Sequence, residues 1–591
     1  MAEEERSYGE VVVQGLNSLR EDDGHLCDFT VSANEKTFQV HKALLAATCD
    51  YFKVMFRGSM NMKESREDSV DLKGLTGTAL DHIITFIYTG KLNLNHDTLS
   101  DILDAASHLQ VHAALDRCTK YLNSLLTFDN ADDILEIADT YSLPGVLKEF
   151  DTLVLKNFEE FAKTELFFNL KLDHFIKYVS SDELRTRSEL QVFHHVRRWI
   201  EEDEDRTEHI RDIMKDVRFG LMSEAELQEI AQSDFVRNSS DVSALVSRGL
   251  LYHQQSKAGP IKFSDSINTN LRTPSDSLVC VHPGSAYTPL KVTAYQEETN
   301  SFFNLTSEFC GNVSAEMAVL DNFIYICRVL DYQNEGGVST ASLCRFDPRH
   351  LSLQELQPME RPRTEAALVS LNKKLYLIGG KFANYVILDC IECYDVETNT
   401  WTRLDALPCP LHSHAAVVAK ENIYISGGWS SLNGHDILPA NTFICFNPAT
   451  RKWDCKPNML SGPRRLHSMI TLQDKIYVFG GICLQNSQPN SEQQSLVPIE
   501  VYDIPTDQWT CLSNTLKGRS DGHFVSLNNK IFSIGHEHFK AAEDELWCYD
   551  PEKMIWTKIA KAPGLNFQQT KGVIAKINFN DKKLVKITNT R

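Results

Sequence analysis

Three kinds of grouping in this chain could do chemistry on their own. Cys390-Ile-Glu-Cys393 is its only Cys-x-x-Cys. Two thiolates at that spacing hold zinc when a second pair completes the tetrahedron, and no second pair exists. The segment also reads as a strand, where positions three apart face opposite sides. His412-Ser-His414 and His536-Glu-His538 each set two histidines on one side of an extended segment. Neither has further ligands nearby in sequence, so histidines of recognition loops are the preferred reading. Glu201-Glu-Asp-Glu-Asp205 lacks the ligand spacing and turn glycine of a calcium loop and reads as a solvated loop. No GxSxG, HExxH, Walker or Rossmann fingerprint stands in context. The sequence therefore predicts no enzyme, no metal and no cofactor.

Composition narrows the partners. The net charge is −20. Residues 1–250 hold 46 acidic and 27 basic side chains, and 251–591 hold 34 and 33. The first part is an acidic body and the second is neutral. Phosphate backbones need clustered Lys and Arg, so nucleic acid is not expected as a partner. No window has the ~20 apolar residues that a membrane span needs, and no membrane partner is expected. The first thirty residues are acidic and polar, without the profile of a signal peptide. The 15 cysteines show no regular spacing, which predicts a reducing compartment and mostly buried thiols. Cys118, with Arg117 and Lys120 close by, is the one thiol with a flanking basic cluster, and a buried structural role is the preferred reading.

Two hydrophobic periods divide the chain. Residues 40–250 carry helical spacing, as in Leu99, Ile102, Leu103, Ala106, Leu109 and Leu115 within a stretch ending at Leu122. Similar stretches follow at 131–142, 146–158 and 189–201. One early strand pair is expected, Asp28–Ser32 with Thr37–Val40. The polar stretch 255–272 reads as a linker. From about 270 the runs become short and β-rich.

Those runs repeat. Leu375–Ile378, Ile423–Ser426 and Ile476–Phe479 each end in Gly-Gly, and Ile531–Ile534 ends in Gly535-His536. An aromatic residue is followed seven positions later by Trp in Tyr394/Trp401, Phe446/Trp453, Tyr502/Trp509 and Tyr549/Trp556. Weaker copies, Tyr295/Phe302 and Phe346/Leu353, precede them. Successive first aromatics lie 51, 48, 52, 56 and 47 residues apart. A period near 50 with these features predicts a six-bladed kelch-type propeller. One blade cannot bury both its faces, so the blades must ring. Gly572–Phe579 is expected to pair with blade one and close it. Pro283-Gly284 in blade one and Cys327-Arg328 in blade two stand where Gly-Gly is expected.

The chain resembles the BTB–BACK–Kelch (kelch-like) family along nearly its whole length. Leu26-Cys-Asp-Phe-Thr-Val31 and Phe38-Gln-Val-His-Lys-Ala-Leu-Leu-Ala46 look like the start of a BTB domain. Asp50-Tyr-Phe-Lys-Val-Met-Phe56 and Phe86-Ile-Tyr-Thr-Gly90 match its later signatures. Glu189-Leu-Gln-Val-Phe-His-His-Val-Arg-Arg-Trp199 and Val217-Arg-Phe-Gly-Leu-Met222 resemble the BACK domain. The expected fold is multidomain: an α/β BTB domain, an all-α BACK domain and an all-β six-bladed kelch propeller. The expected boundaries are 1–125 for BTB, 126–255 for BACK, 256–272 for the linker, 273–580 for the propeller and 581–591 for the tail.

The resemblance implies a substrate adaptor of a cullin-3 ubiquitin ligase that is itself non-catalytic. It implies a BTB homodimer that binds cullin-3 and a propeller that binds the client protein. The family's cullin motif, hydrophobic-x-Glu, fits Met62-Lys63-Glu64, and Tyr88 falls near the same surface. Asp28, His41 and Lys53 match positions lining the family's dimer groove, with an ordinary capping or buried role equally open. A cytoskeletal scaffold that binds actin or intermediate filaments is the alternative function. Cytoplasm is the expected location, with nucleus and cytoskeleton open. Aligning the blades puts Arg363, His412, Arg465 and Arg519 at equivalent positions, followed two places later by Glu365, His414, His467 and Asp521. These two rings are expected to line the binding mouth. The arginines suit carboxylates on the client, while Glu365 and Asp521 leave a mixed polar motif open.

Overall fold

A computed structural model describes residues 8–22, 24, 26–57, 68–258, 268–272, 276–282, 289–310, 313–330, 340–382, 386–431, 437–483, 498–512, 523–534, 545–561, 570–579 and 584–587. The chain packs as two compact units, Met1–Tyr178 and Val179–Arg591.

In the first unit, Phe29–Ala33 pairs antiparallel with Lys36–Val40 through a tight turn, with Asn34 at φ +50°. A third strand, Ser69–Asp71, joins parallel to the first and was not foreseen from sequence. At three residues it is too short to show a period. Helices Lys42–Thr48, Asp50–Phe56 and Gly77–Thr89 surround the sheet, and Phe29, Val31, Phe52, Leu80 and Ile83 fill the core between them. The expected stretch through Leu122 is two helices, His96–Leu109 and His112–Leu125. Gln110 breaks them by adopting the left-handed region at φ +53°, and Val111 N–H closes the end onto Ala106 O at 2.9 Å. The predicted apolar stripe is buried: Leu99, Ile102, Leu103, Ala106 and Leu109 lie in the core.

In the second unit, helix Glu189–Glu201 starts with a buried Glu189. Its carboxylate accepts Arg272 Nε at 2.5 Å and the backbone N–H of Arg218 at 3.2 Å. Arg218 is itself fully enclosed and donates to Asn270 O at 2.7 Å. These bonds anchor the end of the stretch read as a polar linker. Its beginning is helical, because helix Ser240–Ala258 runs into it. The acidic run at 201–205 is exposed, and Asp203 caps the next turn at Asp205 N, 3.1 Å away.

The rest of this unit is built on six sheets of at least four strands, with two two-stranded hairpins beside them. From inner to outer strand, blade three is Ala367–Leu371, Lys374–Ile378, Ile391–Asp395 and Thr400–Arg403. Blade two starts at Val313–Leu320, blade four at Ala415–Ala419, blade five at Arg464–Leu472 and blade six at His523–Leu527. Blade one takes its inner strand, Lys571–Ala575, from the carboxyl-terminal end of the chain, as expected. The same end also adds a fifth, outermost strand, Val585–Lys586, so it covers both edges of that blade. Each inner strand packs against the next, and blade six returns to blade one, which closes the ring.

The seven-residue spacing has a direct cause. All six pairs, from Tyr295/Phe302 to Tyr549/Trp556, are register partners across the hairpin joining the two outer strands. Where both partners are aromatic the rings meet at a tilt, with centroids 4.6 Å apart in Phe446/Trp453 and 5.1 Å apart in Tyr394/Trp401. Such contacts add about 0.5–1.5 kcal/mol each beyond area burial. The Tyr394 hydroxyl donates to Asn399 Oδ1 at 2.6 Å, and the Tyr295 hydroxyl to Asn300 Oδ1 at 3.0 Å. Both asparagines sit at positive φ, so one residue both turns the hairpin and receives the phenol.

Candidate functional site

The glycine pairs build the inner rim. Gly379 has φ +53°, and a Cβ there would lie 2.4 Å from Leu411 O and 3.0 Å from His414 Cε1 on the next blade. Gly427 repeats this against Arg464 O at 2.2 Å and His467 Cε1 at 2.8 Å. Only glycine allows both the turn and this close approach. Gly380 N–H donates to Leu411 O, and Gly428 N–H to Arg464 O, each at 2.8 Å. A second backbone chain links Ser413 N to Glu365 O at 2.9 Å and Leu466 N to Ser413 O at 3.0 Å.

These bonds fix which residues are equivalent. Glu365, Ser413 and Leu466 share one position, with φ of +54°, +55° and +54°. Thr364, His412 and Arg465 share the one before, each bridged to the residue two places after its blade's first glycine. His412 with Arg465, and His414 with His467, are thus aligned as expected. Arg363 and Glu365 are each displaced by one place from the expected rings. Blade two shifts likewise: Ile324 pairs with Phe346 as Leu375 pairs with Tyr394, so Arg328-Val329, not Cys327-Arg328, replaces Gly-Gly. In blade one the same register puts His282 at the first glycine's place, one residue before Pro283. A slip of one residue moves a side chain to the other face, and that decides what these groups do.

Arg363 is the counterpart of Arg464, and both side chains are inside the protein. Arg363 pairs with Glu392 at 2.6 Å and donates to Cys390 Sγ at 3.0 Å. Arg464 pairs with Glu500 at 2.8 Å. Cys393 is buried too, in the core cluster around Tyr376. Among the described residues no cluster of three or more His, Cys, Asp or Glu could hold a metal.

Glu365 organises the rim. Its carboxylate accepts His412 Nδ1 at 2.9 Å and is also bonded by Ser413 Oγ and Lys381 Nζ. Burial opposes its ionisation, but the bonds from His412, Lys381 and Ser413 outweigh that and hold the carboxyl well below its usual range. Ser413 and Glu365 meet the same imidazole nitrogen, so this trio is no nucleophile–base relay. His414 and His467 are buried. Burial, then His412, lowers His414 to about 4, and burial, Arg464 and His414 lower His467. His467 Nε2 lies 2.7 Å from Ser426 Oγ. In blades one and two, Lys571 and Glu316 pair at 2.5 Å across the blade boundary.

The sequence reading missed the second part of the rim. Hairpins Lys381–Phe382/Val386–Ile387 and Trp429–Ser431/Ile437–Pro439 rise from blades three and four directly after the glycine pairs. Arg465 lies over the Trp429 ring, 5.4 Å from its centroid. Apolar residues within polar loops, such as Phe382 and Leu438, were the available signal. Arg519, Asp521, His536 and His538 lie outside the described residues.

In the first unit, Tyr88 is fully enclosed, which differs from a place on a surface. Its hydroxyl accepts the His41 backbone N–H at 2.8 Å and lies 2.7 Å from His41 Nδ1. Burial pushes its pKa up to about 12. Asp28 Oδ1 accepts Lys42 N–H at 2.7 Å, capping a helix start, and Lys53 pairs with Asp50 at 3.3 Å. Met62 and Glu64 lie outside the described residues. Cys118 is buried, which pushes its thiol up to about 12. Of the 13 cysteines described, nine are buried, and only Cys455 and Cys511 are exposed.

Comparison with known proteins agrees with this architecture. The BTB/POZ domain family matches residues 16–126, the family described as BTB And C-terminal Kelch matches 132–232, and the KLHDC2/KLHL20/DRC7 Kelch-repeats domain matches 366–580. Kelch-like protein 26 of Danio rerio is 29% identical over 568 residues, covering 93% of this chain and 90% of that protein. Kelch-like protein 15 of Homo sapiens is 27% identical, covering 92% of each. Kelch-like protein 13 of Mus musculus is 33% identical, covering 94% of this chain and 84% of that protein. The BTB, BACK and Kelch matches follow one another along this sequence, and the chain belongs to the Kelch-like family of BTB–BACK–Kelch proteins.

Proposed function

We propose that this protein is a homodimeric substrate adaptor of a cullin-3 ubiquitin ligase. The observation that carries the reading is the union in one chain of a BTB fold, BACK helices and a closed ring of kelch blades. The BTB–BACK part holds cullin-3, and the propeller holds the client near the conjugating enzyme. The rate gain comes from proximity rather than from chemistry at this chain. Helix Tyr8–Glu21 leaves Val11, Val12 and Leu19 exposed, an apolar face that supports pairing with a second copy. A dimer presents two propellers, so two weak client motifs can be held by avidity.

Met62 supplies an adaptable apolar anchor and Glu64 a charge-assisted acceptor for cullin-3. The test is co-purification of cullin-3 with the full-length protein carrying Met62→Ala and Glu64→Ala. Cullin-3 is expected to be lost while the dimer persists on size-exclusion chromatography with light scattering. Retained cullin-3 refutes the motif assignment.

A further inference from the structure

Blade one has an outer edge unlike the others. Its outer strand, Ser301–Cys310, is ten residues long, against four in blades three and four, five in blades two and five, and seven in blade six. Among the described residues it alone carries a further strand on that edge. The added strand is short. Val585 pairs with Asn304 and Lys586 with Phe303, and Ile587 N–H donates to Phe302 O at 2.8 Å. Toward Cys310 the edge has no outer partner strand among the described residues.

Two side chains seat the added strand. Antiparallel neighbours share a face, and faces alternate along each strand. Ile587 packs on the core that holds Phe302, between blades six and one. Leu584 packs on the core that holds Leu305, between blades one and two. Phe579, against that second core, meets Phe303 with ring centroids 5.2 Å apart. The edge thus offers one apolar seat on each face, three positions apart. Between them Val585 and Lys586 are exposed, Val585 by 65%.

The inner edge of the same blade is held far more firmly. Its closing strand pairs over five residues, Lys571–Ala575. Just beyond, Lys576 N–H donates to Asn322 Oδ1 at 2.6 Å, and Asn322 Nδ2 donates to Lys576 O at 3.1 Å. The outer strand of the tail therefore opens at lower cost than the ring it lies on. Once opened, a ten-residue edge is a template for another strand. A tethered tail keeps the advantage of high local concentration, so a competitor must pair over more of the edge than the tail does.

We propose that the outer edge of blade one is a strand-addition site with segment 584–587 as its built-in occupant. The partner is an extended segment of another protein with two aliphatic side chains three positions apart. It displaces the tail, fills the Leu584 and Ile587 seats and continues the ladder toward Cys310. The tail defines this chemistry, because it is an occupant already seated. The site lies on the outer strand of the ring and does not depend on the ligase reading.

The probe is a fluorescein-labelled peptide of residues 580–591, read by anisotropy against the unmodified protein and against a chain ending at Phe579. The peptide is expected to bind the shortened chain at least tenfold tighter, because the edge of the unmodified protein is occupied. N-methylation at the peptide's Ile587, which removes the donor to Phe302 O, is expected to weaken binding at least tenfold, and so is Leu584→Asp in the peptide. The full chain carrying Leu584→Asp and Ile587→Asp, which releases the tail without shortening it, is expected to bind the peptide as the shortened chain does. On the unmodified protein, amide hydrogens of Val585–Ile587 are expected to exchange at least tenfold faster than those of Lys571–Ala575. Equal binding to both chains, binding to neither, an N-methyl peptide as good as its parent, or equal exchange of the two strands overturns the proposal. Assemblies larger than a dimer that grow with concentration on light scattering, and vanish in the shortened chain, would assign the edge to the tail of a second copy and overturn it as well.

Discussion

Arg464 and Glu500 form a 2.8 Å ion pair with neither side chain exposed, and the same two places one blade earlier hold Leu411 and Ile444, packed in an apolar core. Blade three repeats the charged version with Arg363 and Glu392. The ring therefore contains its own comparison between a buried salt bridge and its apolar replacement. Desolvating two charges offsets most of their attraction, so the two solutions cost similar amounts.

This fixes the outcome of a substitution series. Glu500→Ile alone strands a buried guanidinium and removes the acceptor for Leu460 N and Ser461 N. It is expected to destabilise the protein by about 3–5 kcal/mol. Arg464→Leu combined with Glu500→Ile, the blade-four arrangement, is expected to recover the part of that loss due to the stranded guanidinium, though not the part due to the two backbone N–H groups. Urea unfolding of wild type and the two variants reads the difference. Equal losses in the single and double variants would show that the ion pair itself stabilises the blade.

Tyr88 gives a second test. Its hydroxyl is the acceptor for the buried His41 N–H. Tyr88→Phe removes that acceptor and is expected to cost about 1–3 kcal/mol. The fold remains, so cullin-3 co-purification at low temperature is expected to stay near wild type. A protein of unchanged stability that no longer binds cullin-3 would instead make Tyr88 a contact residue.

The buried histidines set an acid limit on the ring. His414 and His523 are held at about 4 and about 3, in both cases mainly by burial. Unfolded histidine titrates near 6.5. Below that pH the unfolded chain binds protons that the folded ring refuses. Their contribution is complete above pH 6.5 and is lost as pH falls toward 4. Denaturant midpoints at pH 7, 6 and 5 should decline, and His414→Asn should flatten the decline. A midpoint that rises on acidification would show these rings to be charged in the folded state.

Much of the fold was legible in the sequence because its signals are local. The Tyr–Trp spacing reports a hairpin, and its register partners are seven residues apart by construction. The glycine pairs report a backbone turn made within two residues. The apolar stripe from Leu99 to Leu109 reports one helix face.

What each charged side chain does was settled elsewhere, by contacts between blades about fifty residues apart. Composition gives Arg363, Arg464 and Arg465 the same chemistry. Register sends the first two inward to glutamates and leaves the third on Trp429 at the rim. The third strand of the BTB sheet and the break at Gln110 follow the same logic. One depends on a distant partner strand, and the other on a left-handed backbone that glutamine does not announce. The sequence by itself determined the periods, and with them the blades and the helices. Only tertiary structure decided which face each side chain occupies, because pairing register is a property of two strands together and a shift of one residue reverses it.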